Sequence, residues 1–139
     1  LTFAPMLDSD NDGLSDQEET SGLDNVLTWA NPQGATSVWN DADSDDDGVN
    51  DGLEALAGTD RNDGGSLFQI TSTAQSSASN LLIRWSSVPG RLYTIQYTTN
   101  LLSSLVPVQS NIPASEPLNT FTMQVNGVEH IFYVIEVQP

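Results

Sequence analysis

The sequence predicts a mainly β protein with two parts, an acidic segment over residues 1–65 and a small antiparallel β-sandwich over residues 66–139. Three observations predict this division. A twelve-residue acidic pattern occurs twice, 35 residues apart, and only short helical turns fit after each copy. Apolar residues alternate with period two from residue 66 onward, as in half-buried strands. Sixteen of the nineteen acidic residues lie in residues 1–63, so the charge follows the same division.

The acidic pattern occupies residues 8–19, called loop 1, and residues 43–54, called loop 2, each numbered here from position 1 to position 12. Both loops have aspartate at positions 1, 3, 5 and 9, glycine at position 6, an aliphatic residue at position 7 and glutamate at position 12. These positions supply about seven oxygens, which is the kind of ligand set that Ca²⁺ needs. The position 7 oxygen is a backbone carbonyl, and the position 9 oxygen acts directly or through water. Mg²⁺ fits less well, because it prefers a rigid octahedron and keeps its waters. The predicted ligands of two Ca²⁺ sites are Asp8, Asp10, Asp12, Leu14, Asp16, Glu19, Asp43, Asp45, Asp47, Val49, Asp51 and Glu54.

An alternative is that both stretches are merely solvated or disordered acidic segments, as blocks of like charge commonly are. A random acidic run gives no reason for glycine at position 6 and glutamate at position 12 in both copies. Carboxylates crowded in this way also repel one another unless a cation lies between them. Further oxygens that could complete or bridge the sites belong to Asp24, Asp41, Asp46, Asp60, Asn62 and Asp63.

Each loop is expected to lead into a short helix. Residues 16–20 can form about one turn before Gly22, and residues 51–57 form a slightly longer helix that Gly58 ends in a left-handed conformation. No amphipathic helix precedes either loop, whereas a complete EF-hand has helices on both sides. Between the loops, Trp29 and Trp39 are interpreted as a miniature core, with a sugar-stacking platform as the alternative.

The second part is predicted to hold six short strands. Alternation begins at Phe68 and continues in residues 81–85, 92–97, 105–109, 121–125 and 131–137. Pro89-Gly90 suits the centre of a type II turn, and Asn126-Gly127 predicts a hairpin. The last strand is apolar on both faces and is predicted to be central. This pattern is typical of a small sandwich of the immunoglobulin or fibronectin III kind.

The loops, with the Ala55-Leu-Ala-Gly-Thr-Asp60 segment after loop 2, resemble thrombospondin type 3 calcium repeats in the form found in secreted bacterial proteins. The long insert over residues 20–42 departs from tight tandem repeats. Residues 81–137, through Trp85-Ser-Ser-Val-Pro-Gly-Arg-Leu-Tyr-Thr-Ile-Gln-Tyr97 and Phe132-Tyr-Val, are similar to C-terminal β modules of large secreted bacterial proteins. The resemblance implies attachment, display or assembly rather than catalysis, although fold alone does not fix function.

Several function classes are disfavoured by composition. Three arginines and no lysine cannot form the basic face that nucleic acid requires. No apolar run approaches the roughly 20 residues of a membrane-spanning helix. The chain has no cysteine and one histidine, His130, so a nucleophile with its base is not expected and we predict no enzyme. The Leu1 start suggests a processed product.

The leading expectation is therefore an extracellular or cell-surface structural module that two Ca²⁺ ions rigidify, since weak loops of this type fill only where calcium is abundant. One version assembles into a fibre, with an apolar terminal segment, residues 1–7 or 131–137, adding a strand to the next subunit. Residues 1–7 closing their own domain is the alternative. A second function class is an accessory module of a secreted hydrolase that binds polysaccharide or anchors the enzyme, with candidate aromatics Trp29, Trp39, Tyr93 and Tyr97.

Overall fold

The computed structural model describes residues 6–22, 36–127 and 130–138. The chain forms two compact units, which we call the loop unit, within residues 1–67, and the sheet unit, Phe68–Gln138. Predictions about residues 1–5, Asp24, Trp29 and the turn at residues 31–34 fall outside the described residues.

The described part of the loop unit contains two short helices, α1 (Asp16–Ser21) and α2 (Asp51–Ala57). Ser15 and Glu18 form a reciprocal capping box at the start of α1, and the Asn50 side chain accepts from the Leu53 N–H at the start of α2. Each helix ends at a glycine in the left-handed region, with φ of 67° in one and 82° in the other. The short helices predicted after both loops are confirmed.

The described part of the sheet unit contains six antiparallel strands, β1 (Ile70–Ser77), β2 (Asn80–Ser86), β3 (Leu92–Thr98), β4 (Val106–Pro113), β5 (Leu118–Gln124) and β6 (Phe132–Gln138). They form two three-stranded sheets, ordered β1-β2-β5 and β4-β3-β6. The turn between β2 and β3 has the predicted form, with an Arg91 N–H to Val88 carbonyl distance of 3.3 Å and φ of 78° at Gly90. The prediction of a mainly β protein with six antiparallel strands is confirmed.

Both sheets contribute to one apolar core, whose buried members are Ile83, Trp85, Tyr93, Ile95, Met123 and Ile135. Residues two apart on a strand point to the same face, which places Ile83 with Trp85 and Tyr93 with Ile95 in this core. The Tyr93 ring meets Trp85 edge-on at 5.7 Å and stacks on Phe68 at 5.8 Å. Tyr93 is therefore a core residue and is not exposed for binding a sugar.

Two predictions about strand order are wrong. Asn126 and Gly127 form a turn, but β5 before it pairs with β2 whereas β6 after it pairs with β3 in the other sheet. A turn sequence reverses the chain without determining which strand receives the next hydrogen bonds. Among the described strands β6 pairs only with β3, so it is an edge strand rather than a central one. Its outer face stays accessible, with Phe132 40% and Val134 45% exposed.

Candidate metal centres

The two acidic loops have closely similar backbones. In each loop the position 9 N–H donates to the carbonyl of the residue before position 1, at 2.9 Å to Leu7 and 3.0 Å to Ala42. Position 4 has φ of 61° in both loops, and the glycine at position 6 has φ of 103° in loop 1 and 96° in loop 2. Residues with a Cβ atom rarely adopt the φ found at position 6. Glycine at this position therefore allows the tight turn that directs alternate carboxylates inward.

The aspartates at positions 3 and 5 use one oxygen to fix the loop. The Leu14 N–H donates to Asp12 Oδ1 at 2.7 Å, and the Val49 N–H donates to Asp47 Oδ1 at 2.8 Å. The position 5 N–H donates to the position 3 Oδ1 at 3.3 Å in both loops. The second oxygen of each aspartate is buried and has no hydrogen-bond partner; the four atoms are Oδ2 of Asp10, Asp12, Asp45 and Asp47.

The glutamates at position 12 divide their oxygens in the same way. Glu19 is 0% exposed and its Oε1 accepts from the Ser37 hydroxyl at 3.2 Å. Glu54 is 1% exposed and its Oε1 accepts from the Thr59 hydroxyl at 3.0 Å. Oε2 of both glutamates is buried without a partner. Each loop therefore presents three such carboxylate oxygens, at positions 3, 5 and 12.

The carboxylate oxygens are close enough together to surround an ion. Among the described residues, three clusters have their oxygens within 4.8 Å of one another, namely Asp8, Asp10 and Asp12; Asp43, Asp45 and Asp47; and Asp12, Glu19 and Asp51. These clusters could hold metal ions. An oxygen-only ligand set of this kind suits a hard cation.

The same crowding changes proton affinity. Burial raises the pKa of Glu19 to about 7 and the pKa of Glu54 to about 7, and repulsion from neighbouring aspartates adds to both shifts. Burial likewise raises the pKa of Asp10, Asp12 and Asp45. Burial disfavours the charged form of these carboxylates. Each group therefore tends either to take up a proton or to pair with a cation.

The aspartates at position 9 clamp their own loops. Asp16 accepts from the Ser9 N–H and hydroxyl, both at 2.9 Å, and Asp51 accepts from the Ser44 N–H at 3.0 Å and hydroxyl at 2.6 Å. The sequence predicted these aspartates as direct or water-mediated ligands, and the serines were missed. Their signal is serine at position 2 of both loops.

The further candidate ligands organise the loop unit in other ways. Asp60 Oδ1 accepts from the Asn62 N–H at 3.1 Å, and the Asn62 amide donates to the Thr36 carbonyl at 2.7 Å. Asp63 Oδ1 accepts from the Gly65 N–H at 3.0 Å. Among the described residues, the aspartates Asp41, Asp46, Asp60 and Asp63 belong to none of the metal-sized clusters of acidic side chains.

None of the helices in the described part of the chain has the length and apolar character needed to span a membrane.

Comparisons of the chain with protein-family models, with curated proteins and with solved structures find no match.

Proposed function

We propose that this chain is a non-enzymatic, extracellular structural module in which two Ca²⁺ ions rigidify the loop unit. The observation that supports this most strongly is the set of six buried carboxylate oxygens without partners, which recur at positions 3, 5 and 12 of both loops. Buried polar atoms are nearly always satisfied, so an identical deficit in two loops is best explained by an ion in each. In this proposal the loops are EF-hand-like repeats of the thrombospondin type 3 kind, and the sheet unit is an immunoglobulin-like or fibronectin III-like sandwich.

Calcium is the cation that the loops favour. With the position 1 aspartate, the position 7 carbonyl and both oxygens of the position 12 glutamate, each loop offers about six oxygens before any water, at the lower end of the range of six to eight that Ca²⁺ takes. Such modules bind with dissociation constants of about 10⁻⁴ to 10⁻³ M when they work outside cells. An extracellular space supplies calcium at these levels, which is consistent with the proposed role in display, adhesion or assembly at a cell surface.

Assembly by strand exchange is the more specific form of the proposal. Edge strand β6 carries exposed Phe132 and Val134, and a cleft beside it is lined by Phe68, Ile70, Tyr133 and Ile135. An apolar terminal segment of a second subunit, such as residues 1–7, could add a strand there. Analytical ultracentrifugation and electron microscopy in calcium should reveal concentration-dependent oligomers or fibres. Monomers alone at high concentration would rule this form out and leave the calcium module intact.

The alternative, a glycan-binding or anchoring module of a hydrolase, has less support. Of its four candidate aromatics, Tyr93 is in the core and Tyr97 packs partly against it, while Trp39 is 46% exposed and Trp29 lies outside the described residues. A row of exposed rings is what sugar stacking requires, and the described residues supply one ring of the four.

Isothermal titration of chelator-stripped protein tests the main proposal. We expect two Ca²⁺ per chain, weaker Mg²⁺ binding, and a higher unfolding temperature in Ca²⁺ than in EDTA. The matched control is the double variant Glu19→Gln, Glu54→Gln, which keeps side-chain size and removes one charged ligand from each loop. Identical thermal unfolding with Ca²⁺ and with EDTA would refute the proposal.

A further inference from the structure

Loop 1 and loop 2 are in direct contact at the start of α2. A Cβ atom added to Gly52 would lie 2.1 Å from the carbonyl oxygen of Asp12, which no real side chain tolerates. Glycine at this position therefore permits the first turn of α2, and with it Asp51, to lie against the backbone of loop 1.

Asp51 consequently faces two loops. It is 0% exposed, and its oxygens accept hydrogen bonds from Ser44 in its own loop. It also forms a cluster with Asp12 and Glu19 of loop 1, with ligand oxygens within 4.8 Å of one another. Ca²⁺ ligands lie about 2.3–2.6 Å from the ion, so two ligands of one ion are at most about 5.2 Å apart. The cluster fits around a single ion.

A second observation indicates that this cluster holds a ligand. Oε2 of the fully buried Glu19 and Oδ2 of Asp12, which is 8% exposed, have no hydrogen-bond partner. Each carboxylate oxygen of Asp51 accepts one hydrogen bond and retains a second lone pair for a cation.

We propose that Asp51 completes the cation site of loop 1, so that Ca²⁺ binding by loop 1 depends on loop 2. The inference rests on the proposed calcium function and deepens it. Asp16, at the same position of loop 1, makes the same serine clamp but belongs to none of the clusters found among the described residues. Loop 1 therefore depends on the position 9 carboxylate of loop 2, and the reverse dependence is not expected.

The test removes the Asp51 charge while loop 2 is already without its ion. Glu54→Gln leaves loop 1 as the one calcium site, and Asp51→Asn added to it keeps side-chain size and the N–H acceptor of the serine clamp. We expect the added change to weaken loop 1 by at least about tenfold, because a unit charge within about 5 Å of a divalent ion contributes this much even at the dielectric constant of water. The mirror pair, Glu19→Gln with and without Asp16→Asn, should bind at loop 2 with affinities within about twofold.

Two further measurements keep the result interpretable. Amide exchange over residues 51–57 in the Glu54→Gln protein at saturating Ca²⁺ verifies that α2 is folded. Gly52→Ala in the unmodified chain should also weaken loop 1 by about tenfold, although alanine is the better helix former, because its Cβ would separate the loops.

Equal loop 1 affinity in Glu54→Gln and in Glu54→Gln, Asp51→Asn, with α2 folded, would overturn the inference. So would a third ion in the unmodified chain that disappears with Asp51→Asn while loop 1 keeps its affinity, because Asp51 would then bind an ion of its own. If the unmodified chain binds two ions and the Asp51 change has no effect, only this inference fails. If the unmodified chain binds no Ca²⁺, the proposed function fails with it.

Discussion

Removal of calcium should unfold the loop unit and leave the sheet unit folded. Chelation leaves six buried carboxylate oxygens without partners in the loop unit, whereas among the described residues the sheet unit has no such carboxylate oxygen. The perturbation is transfer of the purified chain from millimolar Ca²⁺ to excess EDTA at neutral pH.

The expected magnitude follows from the number of oxygens. A buried acceptor without a partner costs about 1–3 kcal/mol, so six of them cost about 6–18 kcal/mol. A folded unit of this size typically has a free energy of unfolding of about 3–10 kcal/mol. The two ranges overlap, so the cost is comparable to the stability, and we expect the loop unit to be largely unfolded in EDTA.

Hydrogen exchange with mass spectrometry resolves the two units. In EDTA, amides of residues 51–57 should exchange at nearly unprotected rates, while amides of β2 and β3 remain protected. Restoring Ca²⁺ should restore protection, whereas an equal concentration of Mg²⁺ should restore less. Full protection of residues 51–57 in EDTA would refute the reasoning, since the unpartnered oxygens would then be tolerated without an ion.

Three further predictions concern single sites. Glu19→Gln and Glu54→Gln should each lower the calcium count by titration calorimetry from two to one, and an unchanged count in either would remove that glutamate from the ligand set. In EDTA, the pKa of both glutamates is raised from 4.5 to about 7 by burial, so their protonation stabilises the folded loop unit fully below about pH 4.5, and this contribution is lost as the pH rises through about 7. In EDTA, the folded fraction of the loop unit, measured by circular dichroism and by amide protection of residues 51–57, should therefore be larger at pH 5 than at pH 8, and the opposite order would contradict this. Trp85→Ala should destabilise the sheet unit by about 3–5 kcal/mol in denaturant melts without changing the calcium count, because the ring is fully buried in the core.

The geometry within each loop was predictable because it depends on neighbours in sequence. Aspartate at alternate positions, glycine at position 6 and a glycine after each helix are local requirements, and the structure has left-handed backbone at both position 6 glycines and at Gly22 and Gly58. The contact between loops was not predictable. Nothing near Gly52 in the sequence indicates that Asp12, forty residues earlier, lies against it.

In the sheet unit, too, local features could be predicted from the sequence and long-range contacts could not. Period-two alternation located β2, β3, β5 and β6, since each has buried residues and burial of one strand face is recorded locally. It marked only the beginnings of β1 and β4, which are exposed along almost their whole length. Strand order is set by packing between distant segments, so Asn126-Gly127 predicted a turn and not the change of sheet that follows it. The apolar character of β6 suggested a central strand, but on an edge strand exposed apolar residues mark accessible surface.

The make-up of the loop unit argues for a permanent structural role of the ions rather than a signalling one. Among its described residues the buried apolar side chains are Leu14, Ala55 and Ala57, whereas four carboxylates of the predicted ligand set are buried, Asp12, Glu19, Asp51 and Glu54. A calcium sensor needs a stable ion-free state and an apolar groove that the ion uncovers. The buried apolar residues in the described part of the loop unit are two alanines and one leucine. This is little apolar surface to stabilise an ion-free fold, and little to form a groove that an ion would uncover. In the proposed calcium-bound module, the ions would therefore take the place of a hydrophobic core in the described part of the loop unit, and their loss should lead to unfolding rather than to a second folded state.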